Sequence, residues 1–276
     1  MPRAPGGRGR QPPALKKFGQ HFLSDNKILT GIVDALAPTP ADTVVEIGPG
    51  RGSLTDILAE RSGRLVAVEI DRALAAELRQ RYRDRPGVEI VEGDFLETDL
   101  RPVIGDDYLL IGNVPYYITT PIVFKALEVP MPRRSVFLVQ REVAERMAAR
   151  AADEAYGALT VNVAVVARVE NVLTVPASAF RPPPKVESAV VRLTPLARPI
   201  VPLESLPSFR TFVQAAFGRR RKQMQRVLRS VRALSADQAV AILERAGIEP
   251  SARPEVVTPQ EFAKLFGMVA ETTSSP

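Results

Sequence analysis

Residues 113–116 read Asn-Val-Pro-Tyr and close an apolar run, Tyr108–Gly112. Asn and Pro are common turn residues, and a strand-to-loop turn accounts for both. The same residue types also suit a demanding piece of chemistry. The exocyclic amine of adenine is a poor nucleophile, because its lone pair is delocalised into the ring. The amide oxygen of Asn113 and a backbone carbonyl of Val114 or Pro115 would accept its two hydrogens and favour a pyramidal nitrogen. When the leaving group is already excellent, as in a sulfonium methyl donor, positioning is the main requirement and no strong base is needed. Tyr116 adds an aromatic face. Stacking a base is worth on the order of 1–3 kcal/mol, which offsets part of the cost of extruding it.

A second group of residues suits a nucleotide-type ligand. The run Thr43–Ile47 leads into Gly48-Pro-Gly50-Arg-Gly52, where small residues let backbone amides approach a ligand. Glu69 ends the next apolar run, about twenty residues on, where a carboxylate can accept from ribose hydroxyls. Asp94 follows the third run and suits an adenine amine. A glycine turn with surface acids explains each feature separately, and a nicotinamide enzyme shares the G-x-G pattern. On these residues alone both readings stay open.

The elements that must position them alternate in type. Strands are predicted over Thr43–Ile47, Leu65–Ile70, Val88–Val91, Tyr108–Gly112 and Ser135–Val139, with helices between them. A first helix, capped by Ser24, runs to about Leu36. Continuous apolar strands separated by helices indicate a parallel sheet covered on both faces. Arg168–Val175 and Val186–Leu193 are predicted as an antiparallel pair at its edge. A proline-rich linker over 195–207 leads into helical sequence, with capping boxes at Ser235–Gln238 and Thr258–Glu261. The expected fold is α/β: a Rossmann-like domain over 16–197 and a small all-helical domain over 198–270. A basic disordered tail over 1–15 and a flexible C-terminus over 271–276 flank them.

Composition narrows the function classes. The chain has 276 residues, 45% of them hydrophobic, and a formal net charge of +6. That length supports one sizeable core plus a small second domain. No apolar run reaches eighteen residues, so no membrane partner is expected. The complete absence of cysteine excludes disulfides and thiolate metal sites and fits a cytoplasmic protein. With His21 the single histidine, no metal site is expected. Residues 215–232 carry seven Arg or Lys and no acid, with four cations consecutive at Arg219, Arg220, Arg221 and Lys222. That run is read as a basic helix face suited to phosphates.

Asn113–Tyr116, the Glu46–Gly52 turn, Phe18–Leu23 and Ala179–Val186 together resemble the ribosomal RNA adenine dimethyltransferase family, over about residues 16–270. The resemblance implies a class I methyltransferase fold with S-adenosylmethionine as donor and S-adenosylhomocysteine as product. It implies cofactor contacts from His21, Leu23, Gly48, Gly50, Glu69, Asp94 and Asn113. It implies that Asn113 holds the target amine and that Tyr116 and Phe180 sandwich the adenine, with Pro115 counted among the catalytic residues for its candidate backbone carbonyl. The implied substrate is two adjacent adenosines in the 3′-terminal hairpin loop of 16S rRNA, methylated during small-subunit assembly; a monomer is the default expectation. Val114 and Tyr117 depart from the family's commonest residues beside the target base. A large-subunit rRNA methyltransferase conferring macrolide resistance and a nonenzymatic assembly factor are the alternatives. The motifs at both ends favour the first reading over the former, and the intact Asn113–Tyr116 and acids argue against the latter.

Overall fold

A computed structural model describes residues 22–232 and 234–273. The basic tail and His21 lie outside the described residues. The described chain opens with β1 (Phe22–Leu23) and α1 (Asn26–Leu36). The cap of α1 is Asp25, one residue later than expected: its Oδ1 accepts from the amides of Lys27 (2.9 Å) and Ile28 (3.3 Å). Ser24 is used elsewhere, its backbone N–H donating to the carbonyl of Ala179 at 3.2 Å.

The alternating region follows as β2 (Thr43–Ile47), α2 (Ser53–Arg61), β3 (Arg64–Glu69), α3 (Arg72–Tyr82), β4 (Val88–Glu92), α4 (Arg101–Ile104), β5 (Leu109–Asn113), α5 (Thr119–Ala126), β6 (Arg134–Gln140), α6 (Arg141–Ala148) and α7 (Ala158–Ala164). Then come β7 (Ala167–Val175), β8 (Phe180–Arg181) and β9 (Ser188–Pro195). The main sheet has the order β4-β3-β2-β5-β6-β9-β7, parallel through β6 and antiparallel at β6/β9 and β9/β7. The mostly parallel sheet with an antiparallel edge is therefore present.

Side chains alternate across the sheet, and both faces are buried. Val45, Ile47, Val66 and Val68 face one core. Val44, Leu65, Ile111 and Leu138 face another, against α1 and α2. Burial on both faces is why these strands read as unbroken apolar runs. The chain steps outward from β2 to β4, then returns to place β5 on the other side of β2. That reversal opens a crevice at the carboxyl ends of β2 and β5, where open α/β sheets bind ligands.

Beyond β9 the chain is helical: α8 (Leu206–Phe217), α9 (Met224–Arg232), α10 (Ala236–Ala246) and α11 (Pro259–Thr273). Both expected capping boxes form. The Gln238 amide donates to Ser235 Oγ at 3.2 Å, and the Thr258 amide donates to Glu261 Oε2 at 2.8 Å. Phe209, Phe212 and Phe262 extend the core from the sheet face into these helices. The basic run is not one helix. Residues 218–223 form a turn between α8 and α9, and Arg219–Lys222 sit on it, exposed.

Candidate active site

The floor of the cleft is the turn after β2. Gly48, Gly50 and Gly52 have φ of 62°, 57° and 82°, a left-handed backbone that costs other residues energy. At Gly50 space is limiting too, because a Cβ would lie 3.2 Å from the Phe22 ring. Gly52 caps α2, whose first turn opens toward the cleft without any side-chain cap. Such a turn lets a ligand approach the backbone closely, while the amides of Gly48, Gly50 and Gly52 donate to the Val68 carbonyl, Glu69 Oε2 and the Pro49 carbonyl.

Two of the expected acids line this cleft. Glu69, the last residue of β3, is 2% exposed. Its Oε2 accepts from the Gly50 amide at 2.8 Å and its Oε1 from the Asp71 amide at 2.9 Å. Glu69 thus ties the glycine turn to β3 while retaining acceptor capacity on both oxygens. Burial raises its pKa, and the two amides oppose that rise. Asp94 is half-buried, and its Oδ1 accepts from the Leu96 amide at 2.8 Å. Leu23 lies in the cleft wall as well.

Asn113 is the last residue of β5, in parallel register with Leu138 of β6. Val114 is buried in the core and anchors the turn. Pro115 begins a short 3-10 turn over Tyr116–Ile118. The Pro115 carbonyl already accepts from the Ile118 amide (3.2 Å) and Thr119 Oγ1 (3.3 Å). Asn113, Val114, Pro115 and Tyr116 all line the cleft that Gly48, Gly50, Glu69 and Asp94 line. The Tyr116 hydroxyl lies 2.6 Å from Ser188 Oγ, on the first residue of β9. Burial pushes the Tyr116 phenol up, while the Ser188 hydrogen bond lowers it. Ser188 is fully buried and fixes the tip of the ring. Sequence reasoning missed it, since a serine starting an edge strand carries no motif. Tyr117, by contrast, stands 65% exposed at the rim.

Phe180 lies behind the cleft wall and does not itself line the cleft. It is fully buried, paired with Leu23 across the β1/β8 ladder, and packed in the core with Ile32, Val175 and Val190. A base sandwiched between Tyr116 and Phe180 would require this ring to leave that core. The long-range pairing of β8 with β1 gives the proline-rich loop an interior side that its composition hides. The basic turn also divides. Arg220 donates to Glu255 Oε2 at 2.7 Å and to the Glu154 carbonyl at 3.3 Å. Arg219, Arg221 and Lys222 show no ion pair among the described residues.

The lining fits a nucleoside sulfonium: a glycine turn that lets a ligand approach the backbone closely, carboxylates at the ends of β3 and β4, and an aromatic beyond Asn113. Among the described residues no cluster of three or more His, Cys, Asp or Glu could hold a metal ion.

Comparison with known proteins agrees with this geometry. A family model for ribosomal RNA adenine dimethylase matches residues 14–271. The Geobacter metallireducens protein named ribosomal RNA small subunit methyltransferase A is 40% identical, covering 94% of this chain and 96% of its own. Its Myxococcus xanthus namesake is 41% identical, covering 95% and 94%. Among solved structures, a dimethyladenosine transferase from Plasmodium falciparum superposes with TM-score 0.78 at 26% identity, covering 92% of this chain and 98% of that one. The 23S rRNA methyltransferase ErmE gives 0.70 at 30% identity, covering 90% and 99%. The chain belongs to the ribosomal RNA adenine dimethylase family of S-adenosylmethionine-dependent methyltransferases.

Proposed function

We propose that this protein dimethylates the exocyclic amines of two adjacent adenosines in the 3′-terminal hairpin loop of 16S rRNA, acting as a cytoplasmic monomer on the assembling small subunit. The observation that carries the reading is the meeting of Asn113–Tyr116 with the glycine turn in one cleft. The small-subunit assignment draws on relatives of 40–41% identity named for that substrate. The 23S rRNA enzyme is 30% identical.

S-adenosylmethionine supplies an electrophilic methyl on a sulfonium, and each adenosine takes two. Gly48 and Gly50 would border it through their backbones, with Glu69 toward the ribose and Asp94 toward the adenine ring. Asn113 accepts one hydrogen of the target amine. The Pro115 carbonyl is already engaged by Ile118 and Thr119, which favours Val114 as the second acceptor. Pro115 contributes by fixing the turn. Tyr116, held at its hydroxyl by Ser188, offers its ring to the base. The amine proton leaves to solvent after the N–C bond forms. Arg219, Arg221 and Lys222 face the RNA phosphates, with Arg220 bracing the turn.

Primer-extension mapping of rRNA from a deletion strain tests the substrate. Unmodified adenosines in the small-subunit hairpin support the proposal. Loss confined to a 23S adenosine would instead assign the large-subunit reaction.

A further inference from the structure

Glu46 is the penultimate residue of β2, on the strand that delivers the glycine turn. Its side chain is 2% exposed, it lines the cleft, and its Oε2 has no hydrogen-bond partner among the described residues. An unpartnered buried carboxyl oxygen is costly, and an ionised one more so. The charges that act on it are Glu69 of β3 and Asp56 of α2, both acidic. Asp56 is already engaged by Arg81 and by the Tyr82 hydroxyl of α3. On the other side β5 presents Ile111, which is uncharged. Arg51 shares the cleft wall, with its guanidinium 4.2 Å over the Phe22 ring. Thr55 is the neutral polar neighbour. Burial first, then the two acids, pushes Glu46 up to about 8, with the Thr55 hydroxyl opposing the rise. At neutral pH it therefore keeps its proton.

The methyl donor carries a fixed positive charge on sulfur, and the product does not. A cation entering a low-dielectric cleft favours the ionised form of an acid beside it. We propose that Glu46 discriminates donor from product by charge: it is neutral in the free protein, releases its proton to solvent as the sulfonium enters, and is left unfavourably charged once the methyl has gone. The inference concerns this chain's own carboxyl and rests on the cleft being the donor site.

Calorimetric titration of the whole protein with S-adenosylmethionine and with S-adenosylhomocysteine tests it. Two buffers of different ionisation enthalpy give the proton count, and pH 6–8 gives the slope. Wild type is expected to release close to one proton per donor well below the Glu46 midpoint, falling to about half at it, with donor affinity rising by up to about tenfold per pH unit below that midpoint. Glu46→Gln mimics the protonated acid. It is expected to bind product normally while losing the extra proton and the extra slope. The donor's ammonium also titrates in this range, so the quantity read is wild type minus variant. No proton released by wild type, or the same count and slope in Glu46→Gln, overturns the proposal. Absence of saturable heat with either ligand removes the donor site itself, and the proposal with it.

Discussion

Phe180 separates a packing role from a contact with the target base. Its ring is fully buried among Leu23, Ile32, Val175 and Val190 and secures the β1/β8 pair beside the cleft. Truncation to alanine removes a whole phenyl group from a packed core and costs about 3–5 kcal/mol. For a chain of this size that lowers the melting temperature by roughly 6–20 °C. Phe180→Leu keeps most of the buried apolar volume and should cost about 1–2 kcal/mol. Leucine cannot stack on a base. Thermal unfolding and single-turnover methyl transfer, measured together well below the melting transition, then discriminate. A core role predicts that Phe180→Leu transfers methyl at near wild-type rate, whereas Tyr116→Leu loses most activity, beyond the roughly 1–3 kcal/mol of stability lost by leaving buried Ser188 Oγ unpaired. A Phe180→Leu protein that melts normally but transfers poorly would refute the reasoning and place the ring against the substrate.

Asn113→Ala should abolish transfer while weakening S-adenosylhomocysteine binding only partly; full activity would remove Asn113 from the mechanism. Replacing Arg219, Arg221 and Lys222 with Gln should reduce the slope of log affinity against log salt by about 0.9 for each duplex phosphate that is no longer neutralised. Arg220→Gln, which breaks the Glu255 pair, should lower stability more than it alters that slope; equal slope changes in both variants would contradict the division of roles. Glu46 also links stability to pH. Its pKa is raised from the usual 4.5 to about 8 on folding, so the folded state holds an extra proton between those values. Its contribution is fully present below pH 4.5 and is lost as pH rises toward 8, by at most about 1.4 kcal/mol per unit. The urea midpoint at about pH 5 minus that at about pH 8 should therefore be more positive in wild type than in Glu46→Gln, and identical values would exclude this linkage.

The strands of the parallel sheet were legible because burial on both faces writes them as continuous apolar runs, from Thr43–Ile47 to Arg134–Gln140. The cleft was legible for a related reason: its glycines and acids sit at strand ends, where topology converges them. The start of α1 was ambiguous because Ser24 and Asp25 are both good caps, and the Ala179 carbonyl engages the first of them. The β1/β8 pair was invisible, since two-residue strands have no periodicity and their partner is far away in sequence. That missing pair is also why Phe180 looked like a loop aromatic. The break in the basic run did leave a trace. A single helix would carry its apolar stripe from Ala216 through position 220 to Met224, and position 220 holds an arginine. The chain turns there, and Arg220 reaches Glu255 instead of the core. Ser188 left no trace, because its role depends on the register of β9 beside β6.

The most direct test is incubation of the purified protein with labelled S-adenosylmethionine and undermethylated small ribosomal subunits, followed by nucleoside analysis. The account predicts N6,N6-dimethyladenosine in 16S rRNA, two labelled methyls on each of two adjacent adenosines, and none with Asn113→Ala. Label on a ring nitrogen, on ribose or on another base would contradict it, as would undiminished label with the variant.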